Sequence, residues 1–179
     1  MLPLVTDRLV IRMYRAADAP TLTRYRNDPS VARFQDWATP YPRHAADQLA
    51  LDQADSSGPA AGIWVQLAVT RHGDLVGDLA VGLDQTGTVA RLGFTIAHEH
   101  QSRGYAREAV TAVIGALMAR GVLRVEADAR AANTPSIRLL RGLGFVPEGP
   151  ATVEDVVRYG LMTADWPTTS PRPTGCATS

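Results

Sequence analysis

The stretch Arg91-Leu-Gly-Phe-Thr-Ile-Ala-His-Glu-His-Gln-Ser-Arg-Gly-Tyr-Ala106 decides how this chain is read. Leu92, Phe94 and Ile96 alternate as on one face of a strand. A polar loop follows and closes on Gly104, and from Arg107 to Arg120 the apolar residues recur at helical spacing. Strand, loop and helix N-terminus together form an anion site. The loop amides converge with the unpaired N–H groups of the first helical turn, where the helix dipole favours negative charge. Gly104 permits close backbone approach, and Ala106 keeps the next position small. The physics points to a pyrophosphate; an ordinary strand-to-helix connection that binds nothing is the competing reading. Neither the dinucleotide fingerprint nor the P-loop spacing is present.

Outward from that stretch the elements fall in a definite order. Leu9, Ile11 and Met13 mark a strand, and Asp18 before Ala19-Pro20 reads as the cap of a helix running to about Asn27. Pro29 ends that helix and Ser30 is expected to cap a second, short one carrying Val31 and Phe34. A further helix is expected from about Ala45 to Ala54. Strands over Ile63–Val69, Leu75–Val81 and Val89–Ile96 are separated by His72-Gly73-Asp74 and Asp84–Gly87, turns short enough to make the strands antiparallel neighbours. After Gly104, Ala106, Ala109, Val110, Val113, Ile114 and Leu117 form a helical stripe that Gly121 stops. Leu123, Val125, Ala127 and Ala129 alternate with Arg124, Glu126, Asp128 and Arg130. A helix over about Pro135–Leu143 and strands at Phe145-Val146 and Val156–Met162 complete the series. The architecture expected is α+β (mixed α/β), a mostly antiparallel sheet with one splayed parallel step, flanked by helices. Residues 1–166 form a single domain in this reading, and 167–179, almost without apolar side chains, a disordered tail.

Composition narrows the function. The 179 residues carry 18 basic and 18 acidic side chains, against the basic excess of nucleic-acid or membrane-surface proteins. The single cysteine, Cys176, leaves no disulfide or zinc cluster. No run approaches the roughly 18 apolar residues of a membrane span and no signal core is seen, so a cytoplasmic protein with no metal is expected. His98 and His100 read as solvated loop residues.

Four stretches in the same order resemble the GCN5-related N-acetyltransferase (GNAT) family, and within it the RimJ/RimL branch of ribosomal-protein acetyltransferases: Leu4–Arg12, which is similar to T-x-R-L-x-L-R; Asn27-Asp-Pro-Ser-Val31; Leu92-Gly-Phe94 through Ala106; and Asn133-Thr-Pro-Ser136 followed by Leu143-Gly-Phe145. The resemblance spans about residues 4 to 166 and implies acetyl-CoA as cofactor. It implies that the backbones of Phe94, Thr95 and Ile96 pair with the pantetheine arm. Gln101, Ser102, Arg103, Gly104, Tyr105 and Ala106 would hold the pyrophosphate, and Asn133, also a natural helix cap, would border the arm. It implies direct attack of an amine on the thioester, with a backbone N–H near Ile96 stabilising the oxyanion.

The chain departs from the family where acid and base are concerned. Arg91 stands where relatives often carry Glu, and Leu140, seven residues after Asn133, stands where several carry Tyr. Glu126 and Ser136 are the remaining catalytic candidates, each with a plainer alternative: a salt-bridged strand face for Glu126 and Asp128, and helix-start capping for Ser136. Glu154 or Asp155 in the short last hairpin could stand in, without a secure alignment. Trp37, Tyr41 and the arginines of the early helices are candidates to line the acceptor pocket, with packing as the plainer role for Trp37.

An α-amino group, with a pKa of about 7.7–8.0, is about a tenth neutral near pH 7, whereas lysine at about 10.4 is neutral in only about one molecule in a few thousand. A weak base therefore suits an N-terminal α-amine or another weakly basic small-molecule amine. The function expected is N-acetyl transfer from acetyl-CoA to such an amine in a ternary complex. Alternatives are an antibiotic-modifying acetyltransferase and a non-catalytic acyl-CoA-binding module. Relatives often dimerise, so a homodimer is part of what the likeness implies.

Overall fold

A computed structural model describes residues 1–166; the tail expected to be disordered lies outside the described residues. In chain order the elements are β1 (Leu4–Val5), β2 (Val10–Met13), α1 (Ala19–Arg26), α2 (Pro29–Ala32), α3 (Arg43–Asp52), β3 (Trp64–Arg71), β4 (Asp74–Leu83), β5 (Val89–Ile96), α4 (Tyr105–Met118), β6 (Arg124–Arg130), α5 (Thr134–Gly142), β7 (Val146–Pro150) and β8 (Val156–Met162). The strands form one sheet in the order β1-β2-β3-β4-β5-β6-β8-β7. Every neighbouring pair is antiparallel except β5 and β6, so the mixed α/β sheet with one parallel step is as expected.

That step positions the site. β5 and β6 pair over only Val89↔Arg124, Ala90↔Val125 and Arg91↔Glu126. Beyond Arg91 the two strands part: β5 continues along β4 to the pair Gly77↔Ile96, and β6 continues along β8 to Arg130↔Val156. The facing edges of Leu92–Ile96 and Ala127–Arg130 thus have no partner strand, and a wedge opens in the middle of the sheet. An edge pair of this kind is a template for an added strand-like chain.

Alternation distributes the core over two faces. Leu67 and Val69 of β3, Leu79 and Val81 of β4, and Val125 and Ala127 of β6 pack with Val110, Val113, Ile114 and Leu117 of α4 and Leu140 of α5. Each such side chain, fully buried, stabilises the fold by about 1.5–3 kcal/mol. Ala68, on the opposite face of β3, packs with Leu22 and Tyr25 of α1, Val31 of α2 and Ala46 and Ala50 of α3. Among the described residues no helix is long and apolar enough to cross a membrane.

Several boundaries differ from expectation for local reasons. The cap of α2 is Asp28, which accepts from the Ser30 amide at 2.8 Å, because Pro29 takes the first helical position. Asp18 precedes α1 without capping it; its carboxylate instead accepts two hydrogen bonds from Arg12, at 2.7 and 2.8 Å. Leu123 is 58% exposed, outside the strand it was expected to begin. In α4 Tyr105 is buried, whereas Ala106 is only partly covered.

Candidate active site

The wedge opens into a cleft of about 560 Å³, within the range of small-molecule sites. One side is β5 from Leu92 to Ile96 together with Gln101, Ser102, Gly104, Tyr105 and Ala106. The other is Asp128, Ala129 and Arg130 of β6 with Asn133 and Ser136, and the end is closed by Ser30–Asp36.

The loop has the backbone geometry that suits an anion. Gly104, at φ +80°, is the left-handed residue that begins α4, and Ser102 is left-handed at φ +59°. Alternating handedness turns successive amides into one concavity, at the positive end of a 14-residue helix. A Cβ at Gly104 would meet only Arg8 Nη2, at 3.4 Å, so what glycine supplies here is backbone conformation. Gln101 donates its side-chain amide to the Ile96 carbonyl at 3.0 Å and thereby ties the loop to the end of β5.

Sequence reading assigned no role to the contacts that hold this loop in place. Thr6 Oγ1 donates to Glu108 Oε1 at 2.6 Å, the Arg8 amide donates to the same oxygen at 3.0 Å, and Arg8 Nε reaches Oε2 at 2.7 Å. Arg8 Nη1 donates to the Arg103 carbonyl at 2.9 Å, and its guanidinium lies 4.8 Å from the Tyr105 ring centre. Burial alone would raise the Glu108 pKa, but the hydrogen bonds from Thr6 and Arg8 outweigh it and hold the carboxyl below its ordinary value. The T-x-R of the opening motif is therefore a latch between the first hairpin and the first turn of α4. Its signal in the sequence was a polar triplet interrupting an otherwise apolar strand.

Most expected site residues converge, and some do not. Phe94, Thr95, Ile96, Gln101, Ser102, Gly104, Tyr105, Ala106, Asn133 and Ser136 all line the cleft. Arg103 does not line it; its carbonyl faces Arg8. Asn133 Oδ1 accepts from the Ser136 amide at 3.3 Å, so it caps α5, and it does so from within the cleft wall.

Glu126 is not in the cleft lining. It sits at the last paired position of β5–β6, 3.2 Å from Arg91 and 3.1 Å from Arg124, on the salt-bridged strand face. Asp128 does line the cleft, with both oxygens held by Arg158 at 2.9 and 3.0 Å. Leu140 is fully buried, which leaves no acid at that position, and Glu154 and Asp155 lie exposed away from the cleft.

Trp37 and Tyr41 are also absent from the lining. Their rings lie 4.5 and 4.8 Å from the Arg26 guanidinium. The early segment that does line the cleft, Ser30–Asp36, is joined across it by an Asp36–Arg130 ion pair at 2.9 Å. Among the described residues no group of three His, Cys, Asp or Glu could hold a metal ion.

Comparison with known proteins agrees with this geometry. Residues 8–146 match the acetyltransferase (GNAT) domain family. The uncharacterized N-acetyltransferase p20 of Bacillus licheniformis is 30% identical over 150 residues, covering 82% of this chain and 83% of that protein. Among solved structures, the ribosomal-protein-S5-alanine acetyltransferase of Vibrio fischeri superposes with a TM-score of 0.75 at 20% identity, covering 93% of this chain and 100% of that one. RimL, a ribosomal L7/L12 α-N-protein acetyltransferase solved with coenzyme A, superposes with a TM-score of 0.73 at 17% identity, covering 88% and 96%. With a wedge between parallel strands, a left-handed loop opening a long helix at its mouth and these matches, the chain belongs to the GNAT acetyltransferase family, whose members draw their acetyl group from acetyl-CoA.

Proposed function

We propose that this enzyme acetylates a weakly basic primary amine, with a protein or peptide N-terminal α-amine as the first choice and a small-molecule amine as the second. The observation that carries the reading is the continuity of the split between β5 and β6 with one cleft lined by both the Gln101–Ala106 loop and the Ser30–Asp36 wall. A coenzyme and an acceptor can meet at one point in such a cleft.

The residues fit coenzyme A. The amides of Gln101 to Ala106, with Ser102 and Gly104 left-handed, form a concavity suited to a diphosphate. The unpaired edge of Phe94, Thr95 and Ile96 offers the pantetheine arm a strand to pair with. When bound, acetyl-CoA supplies an activated acetyl thioester. The chain's own part is to align the amine, exclude water and manage protons. Ser136, on the first turn of α5 in the cleft wall, is placed to hold a proton at the departing sulfur. The carboxylates in the cleft, Asp36 and Asp128, are both engaged by arginines. Glu126, clamped at the crotch of the wedge, is the other candidate to receive the amine proton, through water, since it does not line the cleft. A base so encumbered suits an amine partly neutral near pH 7, as an α-amine is and lysine is not. The two RimL- and S5-type neighbours, named for ribosomal-protein acetylation, support the same choice.

The same paired carboxylates favour one second reading, a module that binds acyl-CoA without turnover. Thiol release from acetyl-CoA, followed with peptides beginning in serine or alanine, polyamines and aminoglycosides, separates the possibilities. Turnover confined to the peptides is expected. Turnover confined to aminoglycosides would move the assignment to antibiotic modification. Coenzyme binding without turnover on any amine would establish the binding module.

A further inference from the structure

Beneath the Ser30–Asp36 wall lies a buried charge cluster that the chemistry above does not use. Arg26, the last residue of α1, and Asp78 of β4 form an ion pair at 3.1 Å with side chains only 9% and 3% exposed. Tyr25 donates its hydroxyl to one Asp78 oxygen, and Gln66 donates its side-chain amide to the other. The Arg26 guanidinium packs against both Trp37 and Tyr41, which meet edge to face with ring centres 6.4 Å apart and planes at 67°. Trp37 Nε1 donates to the Arg26 carbonyl at 3.1 Å. Asn27 exchanges two hydrogen bonds with the Tyr41 backbone, at 2.7 and 2.8 Å.

The cluster joins the two sides of the acceptor end. Asp78 is the register partner of Thr95, which lines the cleft on β5. Trp37 directly follows Asp36, the last residue of the wall. Val31 seats the near end of the wall in the core beside Tyr25 and Ser30 Oγ lies 3.0 Å from His98 Nδ1, but the far end is held lightly, because α2 is only four residues long and Asp36 is 81% exposed in its ion pair with Arg130. A buried ion pair is a poor device for stability alone, since apolar side chains of like volume serve as well or better, whereas its fixed geometry can specify a single arrangement. The guanidinium contributes to both sides: its charge pairs with Asp78 and attracts the two aromatic rings packed against it.

We propose that Arg26 is a positioning residue for the acceptor: paired with Asp78 and packed against Trp37 and Tyr41, it sets the distance between the Ser30–Asp36 wall and β5 at which the amine is aligned. This rests on the acceptor-end assignment made above. Loss of the clamp affects alignment of the acceptor; the wall meets the approach to the coenzyme loop where Ser30 Oγ lies 3.0 Å from His98 Nδ1, but the loop itself is held by the latch of Thr6, Arg8 and Glu108, which Arg26 does not touch.

The test uses the full chain with Arg26→Met/Asp78→Asn, which removes both charges together and leaves no unpaired ion in the core. A second variant, Trp37→Phe, keeps a six-membered ring and loses the indole hydrogen bond with part of the ring face against Arg26. A hexapeptide beginning in serine serves as acceptor and coenzyme A as the binding probe. For the double variant, KM for the peptide is expected to rise between about tenfold and a hundredfold. Coenzyme affinity should stay within about twofold, and amide exchange should quicken at Ser30–Asp36 but not at Gln101–Ala109. Trp37→Phe should shift the same quantities in the same direction by a smaller factor, and it decides the matter alone if the double variant does not fold. An unchanged peptide KM with unchanged exchange in the wall overturns the proposal. So does a parallel loss of coenzyme affinity, which marks general loosening. The exchange comparison needs no acceptor, so it decides the clamp even where the hexapeptide is not turned over. Failure of the unaltered protein to bind coenzyme A would instead count against the function proposed above.

Discussion

Gly104→Glu tests the anion cradle at its centre. Two effects of different size are separable there. Gly104 has φ +80°, and a side chain in that left-handed conformation costs about 1–2 kcal/mol. For a chain of this length, each kcal/mol lowers Tm by about 2–4 °C, so a loss of about 2–8 °C is expected. The nearest obstacle to a Cβ is the flexible end of Arg8 at 3.4 Å, so a larger side chain can be accommodated without unfolding.

The second effect is charge. A carboxylate about 5 Å from one unit of phosphate charge is repelled by about 3 kcal/mol at an effective dielectric constant of 20. Salt and the exposure of the loop reduce this, which leaves a loss of affinity of about a hundredfold. Gly104→Ala carries the strain without the charge and is the control. Calorimetric titration with coenzyme A, beside thermal melting, is expected to show similar Tm losses for both variants and a much larger affinity loss for Glu. Equal affinities for Ala and Glu would show that no diphosphate sits against these amides, and the reasoning about the loop would fail.

Three further outcomes are expected. Arg8→Met removes the hydrogen bond to the Arg103 carbonyl and the pairing with Glu108, and coenzyme affinity should fall by about three- to tenfold, the scale of one ordinary hydrogen bond, as a repeat of the titration would show. The Glu108 carboxyl is held below its ordinary pKa, so its contribution to stability is present above the unfolded carboxyl value, about 4.3, and is lost as pH falls through the folded value; the Tm difference between the unaltered protein and Glu108→Gln should therefore narrow as melts are taken from pH 7 down to about pH 3, and a constant gap would contradict the latch. Ser136→Ala should lower kcat by about a hundredfold while coenzyme affinity is kept, if its hydroxyl handles the sulfur's proton, whereas a helix-start role alone would leave kcat unchanged and show only in melting.

What could be read in the sequence follows from how local each signal is. The strand–loop–helix around Gly104 was legible because its periodicities and its glycine all lie within one continuous stretch, and the structure puts the left-handed turn at that residue. The parallel step was legible from the order of strands and helices. The place where that step splays open was not, because it depends on pairing that stops after Arg91↔Glu126, and nothing in either strand marks the stop. Glu126 was preferred to Asp128 as a catalytic candidate on the same alternating strand, whereas it is Asp128 that lines the cleft. Only the register, one at the crotch and one beyond it, separates them. The wall at Ser30–Asp36 went unassigned because the nearby aromatic pair drew attention, while Trp37 and Tyr41 are occupied by an arginine eleven and fifteen positions earlier. The Thr6–Arg8–Glu108 latch joins residues about a hundred positions apart, beyond the reach of any local pattern.

The most direct test of the central claim is a crystal structure of the protein with coenzyme A. Diphosphate oxygens within hydrogen-bond distance of the amides of Gln101 to Ala106, with the pantetheine arm lying along Leu92–Ile96 in the wedge, is the result this account predicts. Coenzyme bound elsewhere on the molecule, with the wedge left to the protein's own side chains, would contradict it.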